Sequence, residues 1–319
     1  MPLKTSLTSS QVSSHTRRMT TFGLGLPQIA PLPDELPELA SMARRAEALG
    51  FETLWVSELA SAPVLDPLAV LAHAAAVTSR VRLGVGVILA PLRAPIHLAQ
   101  SLASVDVLSD GRLIAGVGLG SKPDIYPRYG LTADRRLRRY LDGLDLLQRL
   151  WTEDGVRFAS SWWTLTGDAN VIRPAQRPQP PLWFGARQEP ALRRAVKRGD
   201  GWLASGSILG DEFMRSFETV RAQLTADGRD RSTFTIAKRV YIAVAPDTTT
   251  TRERLRRWFG AVYGAPQLGD QVVVVGSAEH CATQLRTLAD LGVDHLLLNP
   301  VFDEVEQMEI LADSVIPAV

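Results

Sequence analysis

The chain has little cysteine, no long apolar run and almost no net charge, and each shortage excludes a class of protein. Cys281 is the single cysteine among 319 residues, which excludes an internal disulfide and suits a reducing compartment. No apolar run reaches the roughly 20 residues of a membrane span, and the longest contains Pro91. The net charge of +1 gives no general attraction to nucleic acid or membranes. We therefore expect a cytoplasmic protein without a nucleic-acid or membrane partner.

Histidine is also scarce, and the histidines show no metal-ligand spacing. They lie at positions 15, 73, 97, 280 and 295, whereas zinc ligands usually recur at short, regular intervals. We expect no metal site. Acidic residues are missing from the first 21 positions, which are rich in Ser and Thr. This composition is similar to that of a transit peptide, but a secretory apolar segment is lacking. We therefore favour a disordered extension over 1–21, with Met19 as an alternative start.

What the sequence has in abundance is a repeated order of helix, glycine and short apolar strand, seen in 43–58, 192–205 and 285–300. Strands with few polar residues are typical of a parallel sheet that is buried on both faces. We predict eight, over 22–26, 53–57, 81–89, 112–117, 181–185, 201–204, 234–245 and 294–298. Eight βα units favour a closed barrel over an open sheet. The predicted fold is one α/β domain over 22–319, a (β/α)8 TIM barrel.

Two connections are longer than ordinary loops. In residues 152–180, the run VRFASSWWTL predicts a small hairpin, and in residues 246–276 an amphipathic helix is predicted at about 250–262. Long insertions in a barrel usually cover the active face, at the C-terminal ends of the strands. We expect both insertions on that face.

The stretch GRLIAGVGLGSKPD (111–124) ends in alternating glycines, at 116, 118 and 120, but opens no helix. A dinucleotide-binding turn needs a helix directly after its last glycine, and Pro123 disfavours one. Gly118 and Gly120 instead follow the fourth strand, on the face where barrel enzymes hold their sites. Two interpretations stay open: a sharp turn out of the strand, or a close approach of backbone to a ligand.

Four blocks follow one another in a distinctive order: AEALGFETLWVSE (46–58), VRLGVGVILAPLRAPIHLAQSLASVDVLSDGRLIAGVGLG (81–120), RPQPPLWFGARQEPALRRAVKRGDGWLASG (177–206) and VVVVGSAEHCATQLRTLADLGVDHLLLNP (272–300). Together they resemble the bacterial luciferase-like family of flavin- and deazaflavin-dependent oxidoreductases, from about Phe22 to the C-terminus. The resemblance implies a (β/α)8 barrel, usually a homodimer, that binds FMN or coenzyme F420 at its C-terminal mouth. It also implies hydride transfer or oxygen activation, as in a monooxygenase, on a small organic substrate.

The loop after the fifth strand is the expected phosphate site. Gly185, Ala186 and Arg187 precede a helix that opens near Gln188, and a helix N-terminus behind a small-residue loop attracts anions. The family usually has a glycine pair and a small hydroxyl residue here, so Arg187 takes over part of the contact in this chain. A solvated arginine is the alternative. Ser205 and Gly206 end the sixth strand near the same phosphate.

The third strand carries glycines within an apolar run, which suggests a bulge. In the family this strand often bulges beneath the isoalloxazine ring, sometimes with a non-prolyl cis peptide, and Ile88, Leu89 and Ala90 are the positions we assign to it. An ordinary buried strand is the alternative. Gln28, at the end of the first strand, is a further expected cofactor contact.

The chain departs from the family at both usual catalytic positions. Leu59 follows Glu58 where many relatives have a histidine, and Ser121 stands where sugar-oxidising relatives have a glutamate. Glu58 and Ser121 are therefore the catalytic candidates, with Glu58 the better acid or base because it is a carboxylate at the barrel mouth. A salt bridge from Glu58 to a nearby arginine is equally compatible with the sequence. The missing residues also leave open a flavin-binding protein without catalysis.

Overall fold

The computed structural model describes residues 19–28, 38–60, 62–167 and 169–319. The predicted extension over 1–21 lies mostly outside the described residues, and Thr21 already belongs to the first strand. The described strands are β1 Thr21–Gly25, β2 Thr53–Val56, β3 Arg82–Leu89, β4 Leu113–Gly118, β5 Phe158–Ala159, β6 Thr164–Leu165, β7 Leu182–Gly185, β8 Gly201–Ala204, β9 Thr235–Val244, β10 Val273–Gly276 and β11 His295–Asn299. The described α-helices are α1 Leu39–Ala48, α2 Pro67–Val77, α3 Pro95–Leu108, α4 Arg136–Thr152, α5 Glu189–Arg198, α6 Gly210–Ala226, α7 Thr248–Tyr263, α8 Leu268–Gln271, α9 Ala278–Leu291 and α10 Glu304–Ile310.

Eight of these strands form a closed parallel barrel. The order is β1, β2, β3, β4, β7, β8, β9 and β11, and β11 pairs with β1 to complete the ring. Helices follow the strands because each parallel connection has to cross back outside the sheet. The predicted (β/α)8 barrel and all eight predicted strands are confirmed.

Large side chains fill the inside of the barrel below the mouth. Trp55, Trp183 and Leu297 pack there in one buried cluster. The indole N–H of Trp55 donates to Nε2 of His295 at 3.0 Å, so Nδ1 of His295 carries the proton and donates to the Thr21 hydroxyl at 2.8 Å. Burial lowers the pKa of His295 to about 3, so the ring is neutral. His295 is a satisfied core residue, and the site has to lie above this layer.

The alternating glycines of β4 are explained by a bulge in the neighbouring strand. The register of β3 against β4 shifts between Val85 and Ile88, and the Gly86–Val87 peptide is cis. A Cβ on Gly116 would lie 1.9 Å from the carbonyl oxygen of Val85, and one on Gly118 would lie 2.6 Å from Val87. Glycine is needed at both positions because β3 presses against β4 there.

The two insertions pack against different parts of the barrel. The predicted hairpin is present as β5 and β6, and it packs beside α4, where the Arg139 guanidinium lies 4.9 Å from the Trp163 ring. The predicted helix is present as α7, and it is followed by α8 and β10, which were not predicted. Strand β9 is long enough to pair with β10 through Tyr241–Val244 beyond the barrel. The second insertion therefore covers the mouth. Within the described residues, no helix is long and apolar enough to cross a membrane.

Candidate active site

Three adjoining cavities lie at the C-terminal mouth of the barrel. We call them the central cavity, of about 280 Å³, the outer cavity, of about 160 Å³, and the polar cavity, of about 40 Å³. Tyr263, the last residue of α7, lines all three. Its hydroxyl lies 2.8 Å from that of Tyr241. The mouth is therefore one region that the Tyr263 side chain helps to divide.

The central cavity lies between the β3 bulge and the loops that follow β7 and β8. Its walls include Gly86, Val87, Ser121, Gly185, Ser205, Gly206, Ser207, Arg239, Tyr241 and Tyr263. Four of the residues predicted from the sequence are thus together: Ser121, Gly185, Ser205 and Gly206. At Gly206 a Cβ would lie 2.4 Å from the Tyr241 ring, so the backbone there approaches the ring closely.

The other two cavities hold further predicted residues. The outer cavity is lined by Glu58, Leu89, Gly120, Ser121 and Lys122, among others. The polar cavity includes Gln28, Ser57, Arg239, Asn299 and Glu304. Because Ser121 and Tyr263 connect these walls, the loops after β4 and β7 lie on the same face as Gln28, Glu58 and Asn299, as expected for a parallel barrel.

Five predicted cofactor contacts line none of the three cavities: Ile88, Ala90, Gly118, Ala186 and Arg187. The bulge was predicted at Ile88–Ala90, and this position is wrong, because β3 bulges at Gly86–Val87. Pairing with β4 resumes at Ile88, whose side chain is fully buried in the core layer outside the barrel. Gly86 and Val87 therefore take the place of Ile88 and Ala90 at the cavity wall.

The loop after β7 is held by two contacts of its own. The carbonyl oxygen of Ala186 accepts from the Trp202 indole at 2.9 Å. Arg187 makes a bidentate pair with Glu212 of α6, at 2.5 and 2.7 Å. This pair raises the pKa of Arg187 and lowers that of Glu212. The Arg187 side chain is 51% exposed, so the guanidinium is solvated and already neutralised by a carboxylate.

Glu58 is part of an ion pair, the alternative that the sequence left open. One carboxylate oxygen accepts from Nε and Nη2 of Arg93, at 2.9 and 2.6 Å, and the other from the backbone N–H of Leu89 at 2.5 Å. Arg93 also donates to Asp66 at 2.7 Å. Both Glu58 oxygens are therefore occupied, and the carboxylate fixes the end of β3. Ser121, by contrast, is exposed.

The side-chain amide of Gln28 is also engaged in hydrogen bonds within the protein. Its amide nitrogen donates to the carbonyl oxygens of Ser57 and Leu65, at 3.2 and 3.1 Å, and its oxygen accepts from the backbone N–H of Ser57 at 2.5 Å. Three hydrogen bonds hold the amide between Ser57, which directly follows β2, and Leu65, and only 7% of the residue is exposed. Gln28 therefore shapes the floor of the polar cavity.

The sequence reasoning missed Arg239, Tyr241 and Tyr263. Nη2 of Arg239 donates to the Ser57 hydroxyl at 2.6 Å and to the Gly86 carbonyl oxygen at 2.7 Å. This cation, which lines both the central and the polar cavity, thus contacts the β3 bulge directly. A signal was present, since two adjacent cations, Lys238 and Arg239, stand in a strand directly before the apolar run VYIAV. The sequence around Tyr263 carries no such signal, because Tyr263 lines the cavities only where α7 folds over the mouth.

Lys238 lies on the other side of the same strand. Only 3% of the residue is exposed, and Nζ donates to the carbonyl oxygens of Ser205 and Arg239 at 2.7 and 2.8 Å. Burial, with a smaller effect of the Arg239 charge, lowers its pKa to about 7. Lys238 thereby supports the loop after β8 from behind the central cavity.

Known proteins are similar to this chain in sequence and in fold. A family profile described as luciferase-like monooxygenase matches residues 7–267. The uncharacterized protein Rv0953c of Mycobacterium tuberculosis is 30% identical over 285 residues, which cover 78% of this chain and 92% of that protein. The oxygenase component of a flavin-dependent trigonelline monooxygenase of Acinetobacter baylyi is 31% identical over 188 residues, 57% of this chain and 51% of that protein.

The solved structures agree on the fold. An F420-dependent secondary alcohol dehydrogenase, in complex with an F420-acetone adduct, has a TM-score of 0.79 at 20% identity, covering 94% of this chain and 99% of that chain. The profile match ends before 272–300, the last block of the resemblance, but it spans well over half of the chain. The chain therefore belongs to the luciferase-like monooxygenase family.

Proposed function

We propose that this protein is a flavin- or deazaflavin-dependent oxidoreductase, using FMN or coenzyme F420 on a small organic substrate. The observation that supports this most is the central cavity, which extends from the β3 bulge to the loops after β7 and β8. It combines apolar walls with a few converging polar groups at the C-terminal face of a barrel, as ligand sites of this fold do.

The residues present fit such a cofactor. Glycines at 86, 185 and 206 let the cavity wall pack closely, since a Cβ on any of them would lie 2.4 to 3.0 Å from a side chain that also lines the central cavity. Ser205 and Ser207 supply hydroxyl groups, and the N-terminus of α5 follows Gly185 closely. Backbone N–H groups at a helix N-terminus favour a phosphate. Gly86 and Val87 would then support the ring, while Gly185, Ser205 and Gly206 would hold the phosphate end.

When bound, the cofactor would accept a hydride in its oxidised form, and in its reduced form it would supply a hydride or react with oxygen. The protein's own contributions are binding, orientation and charge. Arg239 places a permanent cation beside the bulge, where negative charge on a reduced ring is stabilised. Tyr263 and α7 exclude water from above. Ser121 offers a hydroxyl to both the central and the outer cavity. Glu58 acts as a positioning residue, because its oxygens are taken by Arg93 and Leu89.

We keep Arg187 as an outer phosphate contact. Arg187 comes two residues after Gly185, and its partner Glu212 is itself 35% exposed. Exposed ion pairs contribute about 0–1 kcal/mol, so a dianionic phosphate can compete with Glu212 for the guanidinium. The loops at the proposed phosphate site also depend on the backbone conformation of Gly118, Gly120 and Ala186. The homodimer and the cytoplasmic location remain predictions.

Turnover distinguishes an enzyme from a flavin-binding protein that has lost catalysis. The purified protein is given reduced FMN with oxygen, or coenzyme F420 in either redox state, and a panel of aldehydes, sulfonates and alcohols. Product formed above the cofactor-only rate, and lost in Arg239→Met but retained in Arg257→Met, supports the proposal; Arg257 is an exposed arginine of α7. Tight cofactor binding without turnover on any substrate would instead support the non-catalytic alternative, which the pairing of Glu58 favours.

A further inference from the structure

The polar cavity is lined by two charged groups, Arg239 and Glu304, that the fold uses only in part. Arg239 spends only Nη2 on protein contacts, to Ser57 and Gly86. Within the described ranges, no carboxylate pairs with its guanidinium, and its remaining N–H groups have no protein acceptor. An arginine at a barrel mouth with free N–H donors is suited to donate a charge-assisted hydrogen bond to an acidic group.

The same cavity presents a carboxyl group that has no side-chain partner among the described residues. Glu304, the first residue of α10, lines it and is half-buried. The nearest arginine on α7 is not its partner, because Arg254 pairs with Asp303 at 2.5 and 3.0 Å. Burial, with a smaller effect of the Asp303 charge, raises the pKa of Glu304, although its own backbone N–H donates to the carboxylate and the Arg254 charge acts in the opposite direction. Among the described residues no side chain pairs with the Glu304 carboxyl.

A third polar group completes the set. The amide nitrogen of Asn299, which lines the same cavity, donates to the Pro300 carbonyl oxygen at 3.1 Å, and the amide oxygen has no donor among the described residues. Aromatic side chains of Tyr241, Trp258 and Tyr263 form much of the remaining wall. The cavity thus offers donors at Arg239, acceptors at Asn299 and Glu304, and aromatic rings that favour a nearby cation.

The volume limits what this set can receive. About 40 Å³ is room for roughly three water-sized spheres, at about 10–15 Å³ each. That is enough for a compact head group but too little for a whole substrate. Arg239, Tyr241 and Tyr263 also line the central cavity, so the body of a ligand anchored here would extend toward the proposed cofactor site.

We propose that the polar cavity binds the head group of the substrate, and that this head group carries both an acidic group and a nitrogen that donates hydrogen bonds, as an α-amino acid does. Arg239 holds the acidic group, while Glu304 and Asn299 accept from the nitrogen. The inference rests on the proposed function, because only an enzyme would use this ligand as a substrate. Binding of the head group can still be measured without turnover. An apolar body is attached to the head group and faces the central cavity.

Four probes with the same ring test this by isothermal titration of the full-length protein: L-phenylalanine, 3-phenylpropanoate, 2-phenylethylamine and 3-phenylpropanol. We expect L-phenylalanine to bind at least about tenfold more tightly than each of the others. Arg239→Met should remove the advantage of the acid, and Glu304→Gln that of the amine. Arg257→Met on α7 and Glu306→Gln on α10, both exposed positions, should change neither.

Equal binding of all four probes, or variants that bind like the wild type, would overturn the inference. Should Arg239→Met fail to fold, Glu304→Gln at the start of α10 tests the amine half alone. Titration with FMN and coenzyme F420 in the same preparation separates the two proposals. Cofactor binding without discrimination among probes contradicts only the head-group site, whereas discrimination without cofactor binding contradicts only the proposed oxidoreductase.

Discussion

Replacing Lys238 with methionine should change how the stability of this protein depends on pH. The ammonium is buried against the carbonyl oxygens of Ser205 and Arg239, and none of the described carboxylates pairs with it. Burial lowers its pKa from 10.5 to about 7. Below pH 7 the folded and unfolded chains are both protonated, so the full cost of burying the charge is present. Between pH 7 and 10.5 the unfolded chain binds more protons, and the free energy of unfolding rises with pH.

The size of the effect follows from these two pKa values. Integrating the difference in bound protons from pH 7 to pH 9 gives a gain of about 2 kcal/mol for the wild type. Lys238→Met has no such titration. The loss of its hydrogen bonds to two carbonyl oxygens contributes an amount that does not change with pH. Ending at pH 9 limits the influence of Cys281, whose pKa burial raises to about 11.

The assay is denaturant unfolding followed by tryptophan fluorescence at pH 7, 8 and 9. The free energy of unfolding of the wild type minus that of Lys238→Met should rise by about 2 kcal/mol from pH 7 to pH 9. Lys197→Met, at an exposed position of α5, serves as the matched control and should run parallel to the wild type. If Lys238→Met also runs parallel to the wild type, Lys238 does not titrate as a buried amine and the reasoning is refuted.

Further predictions concern the loop after β7, the β4 glycines and the ion pair at β3. Arg187→Ala should weaken FMN and coenzyme F420 binding about tenfold, while Glu212→Gln should strengthen it by freeing the guanidinium; equal affinities in fluorescence titrations would leave Arg187 a bystander. Gly116→Ala should cost about 3 kcal/mol by thermal unfolding, since its Cβ would collide with backbone, whereas Gly167→Ala, which meets no atom within 4 Å, should cost little. Glu58→Gln should lower the free energy of unfolding by about 1–3 kcal/mol, and an unchanged melting temperature would contradict its role in fixing β3.

The barrel was predictable because its signals are local and repeated. Each apolar strand and each helix stripe is visible in a short window, and parallel strands place all their C-terminal ends on one face. That rule alone put Gly185, Ser205 and Ser121 at a common cavity. It needs no knowledge of how individual side chains pack.

What escaped prediction depends on contacts between distant segments. The bulge lies at Gly86–Val87 rather than at Ile88–Ala90 because β3 packs against Gly116 and Gly118 of β4, which the β3 sequence alone does not reveal. The pairing of Arg187 with Glu212 requires the position of α6. Tyr263 reaches the mouth only because α7 folds back over it.

One measurement tests the central claim most directly: equilibrium titration of the protein with FMN and with coenzyme F420, compared with a variant whose central cavity is filled. Ser207 is half-buried and lines that cavity, so Ser207→Phe should place a ring inside it, while Thr283→Phe on the exposed face of α9 serves as the control. We predict that the wild type and Thr283→Phe bind one of the two cofactors tightly, and that Ser207→Phe, still folded, loses at least about tenfold in affinity. Failure of the wild type to bind either cofactor, or binding that Ser207→Phe leaves intact, would contradict the account.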